Sequence, residues 1–444
     1  MSNLDRRHFL AAAAAALAGS ALETLAPNQR LHAMTGTFTD VMHDTDTHQP
    51  EIRPFHVHFP DADLTDLNRR IKAMRWPNKE TVDDDTQGVQ LATMKSLARY
   101  WSTDYDWRTC EARINSFPNF ITNIDGLDIH FIHVKSKEKN ALPMIVTHGW
   151  PGSIIEQMKI IGPLTDPTKY GGKAEDAFDV VVPSLPGYGF SGKPTTPVWT
   201  PPTIAKAWVT LMHRLGYTRF VAQGGDWGNA VSEVMALQTP PGLLAISTNM
   251  AATIPPEISQ ILASGGAPPS TLTPDELDAF KHVAFFYAKG LGYANEMGLR
   301  SQTLYALEDS PVGLAAWILD HDKQSYDMIA RVFAGQKEGL SKDDVLDNIT
   351  LYWLTKTAIS SAQLYWNTRQ LPGKGGFFDA RGVQLPVAVT VFPQEIYAAP
   401  KSWAEKAYPK LLYYDRAAKG THFAAWEQPE TFVAMQRNAF RSLR

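Results

Sequence analysis

The sequence predicts an α/β protein with a mostly parallel sheet, a helical cap insertion and an N-terminal extension domain. Three observations lead there. Short apolar runs rich in β-branched residues alternate with stretches of helical pattern, as buried parallel strands joined by helices require. Two β-rich runs flank Asp125-Gly126, a hairpin signal. From Ala251 to about Leu371 the pattern is helical, and it separates the third buried run from a fourth. At 444 residues, 44% hydrophobic and 20% charged, the composition is that of an ordinary globular protein. A formal net charge of −4 offers no electrostatic footprint for nucleic acid or anionic lipid. The one cysteine, Cys110, cannot form an internal disulfide and reads as a small buried apolar residue.

Residues 1–50 read as an export signal and linker. Arg6 and Arg7 stand directly before an apolar run from Phe9 to Leu22. That run is shorter than the roughly 18–20 residues that span a bilayer, but it suits the apolar region of a signal peptide. The arginine pair followed by Phe9 and Leu10 resembles a twin-arginine signal, which implies a periplasmic or secreted protein; a short helix or an uncleaved anchor is the alternative. No cleavage site stands out, and no later segment is apolar enough to span a membrane. Residues 27–50 are polar and aperiodic.

The extension, 51–118, spaces Leu64, Leu67, Ile71 and Met74 at helical intervals and breaks before Trp76-Pro77. A second helix carries Met94, Leu97, Tyr100 and Trp101. The segment holds no convergent acid, base and nucleophile, so it is expected to pack against the main domain. That domain occupies 119–250 and 372–444. "FITNIDGLDIHFIHV" supplies the hairpin, and "PMIVTHGW", "FDVVVPSL" and "RFVAQ" are the first three buried strands. A helix follows from Asn229, and "LPVAVTVF" is the fourth strand. The cap, 251–371, includes the capping box Thr273-Pro274-Asp275-Glu276.

The chemistry centres on Gly224-Gly225-Asp226-Trp227-Gly228. Small residues at both second neighbours of Asp226 fit a nucleophile elbow, in which strand and helix approach closely and the central residue is strained outward. No Gly-x-Ser-x-Gly competes with it, although Gly-Gly-Asp alone also fits an ordinary turn. In "VTHGWPGS" the backbone N–H of Trp150 can pair with that of Trp227 as an oxyanion hole; a tight turn with a cis bond before Pro151 is the plainer reading. "KGTHFAAWEQPE" offers His422 as general base. "VTVFPQEIYAAP" offers Glu395 at the carboxyl end of a strand, where catalytic groups gather in such sheets, unless it is a surface glutamate. Nucleophile, acid and base then follow the chain order of the α/β-hydrolase fold.

Two other signals carry less. Gly187-Tyr188-Gly189-Phe190-Ser191-Gly192 matches a dinucleotide fingerprint, but "KPTTPVWTPPT" cannot open a helix there, so a loop near the active-site mouth fits better. His56 and His58 have no further ligand close in sequence to complete a metal site.

These pieces resemble the epoxide hydrolases of the α/β-hydrolase fold, in their microsomal type with an N-terminal epoxide-hydrolase domain, over roughly residues 51–444. "HFPDADLTDLNRRI" and "YWSTDYDWRTCEARINSFPNF" are similar to that N-terminal domain. "HGWPGS", "GGDWGNAV", "DSPVGLAAWI" and "GTHFAAWEQPE" are similar to core and cap. The resemblance implies Asp226 as nucleophile, His422 as base, Glu395 as orienting acid, and two cap tyrosines that hold the epoxide oxygen. Tyr365 in "SSAQLYWNT" and Tyr293 in "LGYANEMG" match those positions. The spacing from Tyr293 to "DSPVG" is a residue shorter than in the microsomal enzyme, so Tyr305 is the alternative. The implied partners are a small-molecule epoxide and water, with no cofactor, no metal and no nucleic acid; a homo-oligomer stays open. A carboxylate suits this reaction because its attack on sp³ carbon makes an ester that water can open, whereas serine would leave a stable ether. A haloalkane or haloacid dehalogenase shares the aspartate and is the enzymatic alternative. A non-catalytic binding protein on the same fold is the other, and the complete acid–base set argues against it.

The first segment generates one prediction. A reporter fused after residue 50 reaches the periplasm of a suitable bacterium, and Arg6→Lys with Arg7→Lys retains it inside. Export unchanged by the double replacement would assign another route.

Overall fold

The computed structural model describes residues 51–373 and 376–444; the twin-arginine-like segment and linker lie outside the described residues. A single sheet of nine strands is built by β1 (Arg53–Pro54), β2 (Asn119–Ile124), β3 (Leu127–Val134), β4 (Leu142–Thr147), β5 (Phe178–Pro183), β6 (Phe220–Gly224), β7 (Leu243–Thr248), β8 (Val387–Val391) and β9 (Leu411–Arg416), counted among the described residues. Their order is β1-β2-β3-β5-β4-β6-β7-β8-β9. The pairs from β1 to β5 run antiparallel, and those from β5 through β4 to β9 run parallel. This is the mostly parallel sheet the sequence predicts. Almost every residue of β4, β5 and β6 is buried, as strands covered on both faces must be.

Two parallel strands were not expected. β7, "LLAIST", is a short apolar run whose period cannot tell strand from buried helix. β9, "LLYYDR", is an edge strand with no fully buried residue, so its pattern is weak.

Helices α1 (Asp61–Lys72), α2 (Leu91–Thr103) and α3 (Trp107–Asn115) form the extension. In the core, α4 (Ile154–Thr165), α5 (Pro201–Arg214) and α6 (Trp227–Gln238) follow β4, β5 and β6. Helix α6 starts at Trp227, two residues before the expected Asn229. The insertion after β7 carries α7 (Pro256–Ala263), α8 (Pro274–Phe285), α9 (Gly292–Arg300), α10 (Pro311–Leu319), α11 (Lys323–Phe333), α12 (Lys342–Thr355) and α13 (Ala358–Arg369). Helices α14 (Lys401–Ala407) and α15 (Pro429–Ala439) complete the chain. The capping box of α8 is present: Thr273 N–H donates to Glu276 Oε2 at 2.9 Å, and Glu276 N–H donates back to Thr273 Oγ1 at 3.4 Å.

The extension packs largely on the cap helices, not simply on the main domain as expected. Trp101 Nε1 donates to Thr350 Oγ1 of α12 at 3.0 Å, and Tyr105 OH donates to Asp347 of the same helix at 2.8 Å. Arg70 of α1 bonds Asp309 at 2.7 Å, and Arg113 of α3 pairs with Asp347. Only β1 joins the sheet, at its edge. Cys110 is buried, as expected.

Glu233 of α6 ties together the two ends of the helical insertion. It is fully buried, accepts from the Ala252 N–H at 3.3 Å, and bonds Arg381 and the Tyr408 hydroxyl. Removing one partner of a buried ion pair strands the other charge, at a cost of about 3–5 kcal/mol. Glu233→Ala is therefore expected to lower unfolding free energy by about that amount in a denaturant titration. A loss below about 1 kcal/mol, the range of surface pairs, would show that the pair does not hold the insertion.

Candidate active site

Asp226 sits in the turn from β6 to α6 with φ 51° and ψ −126°. A non-glycine residue in this region is strained and persists only where its surroundings hold it. Two glycines supply those surroundings. A Cβ on Gly224 would lie 2.1 Å from the Gly228 carbonyl oxygen, and one on Gly228 would lie 2.0 Å from that of Thr147. Strand and helix thus approach closer than any side chain permits. The loop after β4 closes over the other side: a Cβ on Gly149 would meet Asp226 Cβ at 2.4 Å. From this loop the Trp150 N–H donates to Asp226 Oδ1 at 2.8 Å. The Trp150–Pro151 bond is cis. Trp227 is the first residue of α6, so its amide has no carbonyl partner within that helix.

Glu395 lies just past β8 and His422 just past β9, both buried. His422 Nδ1 bonds Glu395 Oε1 at 2.6 Å, and the Ile396 N–H donates to the same oxygen at 2.8 Å. Glu395 is therefore not a surface glutamate. Burial disfavours the imidazolium, but the Glu395 carboxylate, with the charges of Asp226 and Asp322, raises the His422 pKa above its ordinary range.

Tyr293 on α9 and Tyr365 on α13 face the same turn. The Tyr293 ring stacks on Trp150 with centroids 4.8 Å apart, and Tyr365 meets Trp227 edge-on at 4.8 Å. The two phenol rings are 6.1 Å apart. Burial, joined by the Asp226 charge, pushes both hydroxyls well above the usual tyrosine range, so they stay protonated donors. Tyr305 is 67% exposed and lines a surface cavity with Trp366 and Arg300. The structure brings Asp226, His422, Glu395, Trp150, Trp227, Tyr293 and Tyr365 together and leaves Tyr305 outside.

Sequence reasoning passed over two buried residues here. His321, between α10 and α11, stands 4.6 Å from the His422 ring and 5.0 Å from the Tyr293 ring, centroid to centroid. It falls in "LDHDK", directly after the "DSPVGLAAWI" stretch, with no local signature to mark it. Glu156 on α4 fills the space beside Gly152, and burial raises its carboxyl to about 8. Asp226, His321 and His422 each offer one atom within 4.8 Å of the others, and among the described residues they form the group that could hold a metal ion. His58 instead pairs with Glu111 at 3.4 Å. In the Gly187–Gly192 loop no helix opens, and Gly187 O accepts from Ser360 Oγ of α13 at 2.6 Å. That contact seats the helix carrying Tyr365 on the core.

This fold and site define an α/β-hydrolase with an added N-terminal domain. The chain matches the pattern of the alpha/beta hydrolase fold over residues 143–374 and that of the epoxide hydrolase N terminus over residues 52–157. It is 50% identical over 395 residues to a Stigmatella aurantiaca protein whose name assigns it to the epoxide hydrolases, covering 88% of this chain and 86% of that one. It is 34% identical to Epoxide hydrolase 1 of Sus scrofa over 391 residues, covering 85% and 86%. The crystal structure of juvenile hormone epoxide hydrolase from the silkworm Bombyx mori superposes with a TM-score of 0.78 at 29% identity, covering 90% of this chain and 97% of that one. The chain belongs to the epoxide hydrolase family.

If Asp226 helps hold the proton on His422, removing its charge lowers the imidazole pKa. In Asp226→Ala the His422 ring signals, followed by NMR, are expected to titrate at lower pH than in the wild type. An unchanged midpoint would assign the whole effect to Glu395 and Asp322.

Proposed function

We propose that the protein hydrolyses an epoxide to a vicinal diol through a covalent ester on Asp226. The observation that carries this reading is the strained Asp226 carboxylate, with one oxygen on the Trp150 amide and His422 within reach. One Asp226 oxygen attacks an epoxide carbon, forming a C–O bond as the ring C–O bond breaks. The departing alkoxide is a strong base, so Tyr293 and Tyr365 supply the hydrogen bond or proton it needs. Water then adds to the ester carbonyl carbon while His422 takes its proton. Glu395 orients the ring and stabilises the imidazolium, and the N–H groups of Trp150 and Trp227 hold the tetrahedral oxyanion. Collapse passes the His422 proton to the leaving diol oxygen. The second hydrogen of the added water, left on the Asp226 carboxyl, returns to the tyrosine that protonated the alkoxide, restoring the carboxylate.

The charge pattern supports the two-step sequence. Before attack, Asp226 favours a protonated His422. Once alkylated, Asp226 is neutral, and part of the field that held the proton is gone. The imidazole thus becomes easier to deprotonate at the stage where a base is required.

His422→Gln should alkylate normally and stall as the ester, read as a mass increase on the protein equal to the substrate. Glu395→Gln should slow the same step less completely. Normal turnover by His422→Gln would place the base elsewhere.

A haloalkane or haloacid dehalogenase is the competing use of the same aspartate, but halide leaves unprotonated and has no need of two buried phenols. Replacing both Tyr293 and Tyr365 by Phe should slow alkylation by about 10²–10⁴-fold, more than either single change, and alter ester hydrolysis far less. Epoxide opening at near wild-type rate in the double variant would remove the tyrosines from the mechanism.

A further inference from the structure

We propose that His321 holds the water that hydrolyses the ester, as a second imidazole beside His422. The inference rests on the covalent reading and concerns its second step. His321 is 1% exposed, and its Nδ1 bonds Asp322 Oδ2 at 3.0 Å. The other carboxylate oxygen, Asp322 Oδ1, accepts the Ser325 N–H at 2.8 Å and caps α11. Asp322 is thereby fixed from both sides, and it fixes the ring in turn. An ionised carboxylate only accepts, so Nδ1 of the neutral ring carries the proton and Nε2 is left with a lone pair. That Nε2 is buried with no hydrogen-bond partner among the described residues. The same logic applies to His422 on Glu395 once its proton is lost, so two His–carboxylate pairs stand side by side, their rings tilted by 45° with centroids 4.6 Å apart.

The spacing indicates what the pair receives. Three atoms mutually within 4.8 Å, one each from Asp226, His321 and His422, share a point no more than about 2.8 Å from each. That is hydrogen-bond range for a water oxygen. Zinc needs about 2.0–2.1 Å to nitrogen or carboxylate oxygen, so a metal would require the three groups to close in. Two cavities of about 20 Å³ adjoin these residues, one lined by Asp226 and His422, the other by His321, with Phe423 lining both. Each has room for a single water.

Water has two hydrogens and two lone pairs. With one O–H on His422 Nε2 and the other on His321 Nε2, a lone pair is left to face the ester carbonyl carbon of Asp226. As the new C–O bond forms, the proton passes to His422; His321 keeps its protonation state and only holds the second hydrogen. It is a water-positioning residue, and it adds nothing to the alkylation step.

Single-turnover rapid quench with styrene oxide, or another epoxide that the wild type turns over, separates the two steps. His321→Leu should alkylate within threefold of wild type but hydrolyse the ester about 10²-fold more slowly, the scale of loss when a reacting group is misplaced. The ester should then accumulate on Asp226 at steady state. His321→Gln retains an acceptor and should recover at least about tenfold of that loss. Asp322→Asn keeps the cap on α11 but lets its amide donate to Nδ1, moving the ring proton to Nε2; hydrolysis should again slow with alkylation intact. Hydrolysis within threefold of wild type in His321→Leu, or equal slowing of both steps with no recovery in His321→Gln, would overturn the proposal. If His321→Leu does not fold, Asp322→Asn decides by the same readout. Absence of an ester even in His422→Gln would instead defeat the covalent reading itself.

Discussion

The strained backbone at Asp226 is the constraint on which the rest of the site depends. A positive φ at a carboxylate-bearing residue is held only because Gly224, Gly228 and Gly149 let three backbone segments crowd around it. The strain points the side chain away from the sheet and into contact with the Trp150 amide. The other residues of the proposed site are placed relative to that carboxylate: Glu395 arrives from the loop after β8, His422 from the loop after β9, and Tyr293 and Tyr365 from cap helices. A side chain at any of the three glycines would have to displace backbone or the Asp226 side chain itself.

The second requirement is a cap held in register with the core. Tyr293 stacks on Trp150 and Tyr365 meets Trp227 edge-on, the two residues whose N–H groups are the proposed oxyanion donors, so the phenols are positioned by the same loops that position the charge. The Gly187–Gly192 loop seats α13, Glu233 ties the ends of the insertion, and the extension braces α10 to α12 from outside. No described residue of the extension stands in the proposed site. Its polar anchors nearly all end on cap helices, so it braces the cap.

Most of the architecture was legible in the sequence because it rests on strong periodicities. The buried runs of β4, β5, β6 and β8, the hairpin at Asp125-Gly126 and the capping box at Thr273 each carry a local signature. Strands β7 and β9 were missed for opposite reasons, one too short and uniform for its period to speak, the other an edge with mixed exposure. The elbow was visible because glycines at fixed offsets leave a mark on sequence. Tyr293 against Tyr305 was not decidable at that level, since one residue of spacing on a helix turns a side chain by about 100°; the fold buries Tyr293 and exposes Tyr305. His321 lacked any signal of its own. A histidine beside an aspartate is unremarkable in a sequence, and only the return of the chain through the cap brings it against His422.

The site concentrates charge in a buried volume, with Asp226, Asp322 and Glu395 surrounding His422. Such a cluster is costly unless its charges are paired or change during turnover. The proposed covalent cycle changes them, because in it alkylation neutralises Asp226 and hydrolysis restores it. The most direct measurement of this central claim is a single turnover in heavy-oxygen water with enzyme in excess of epoxide. The account predicts that the first diol carries unlabelled oxygen from the enzyme and that the label appears in the peptide containing Asp226. Label entering that first diol directly, with none in the protein, would contradict it and establish direct attack by water.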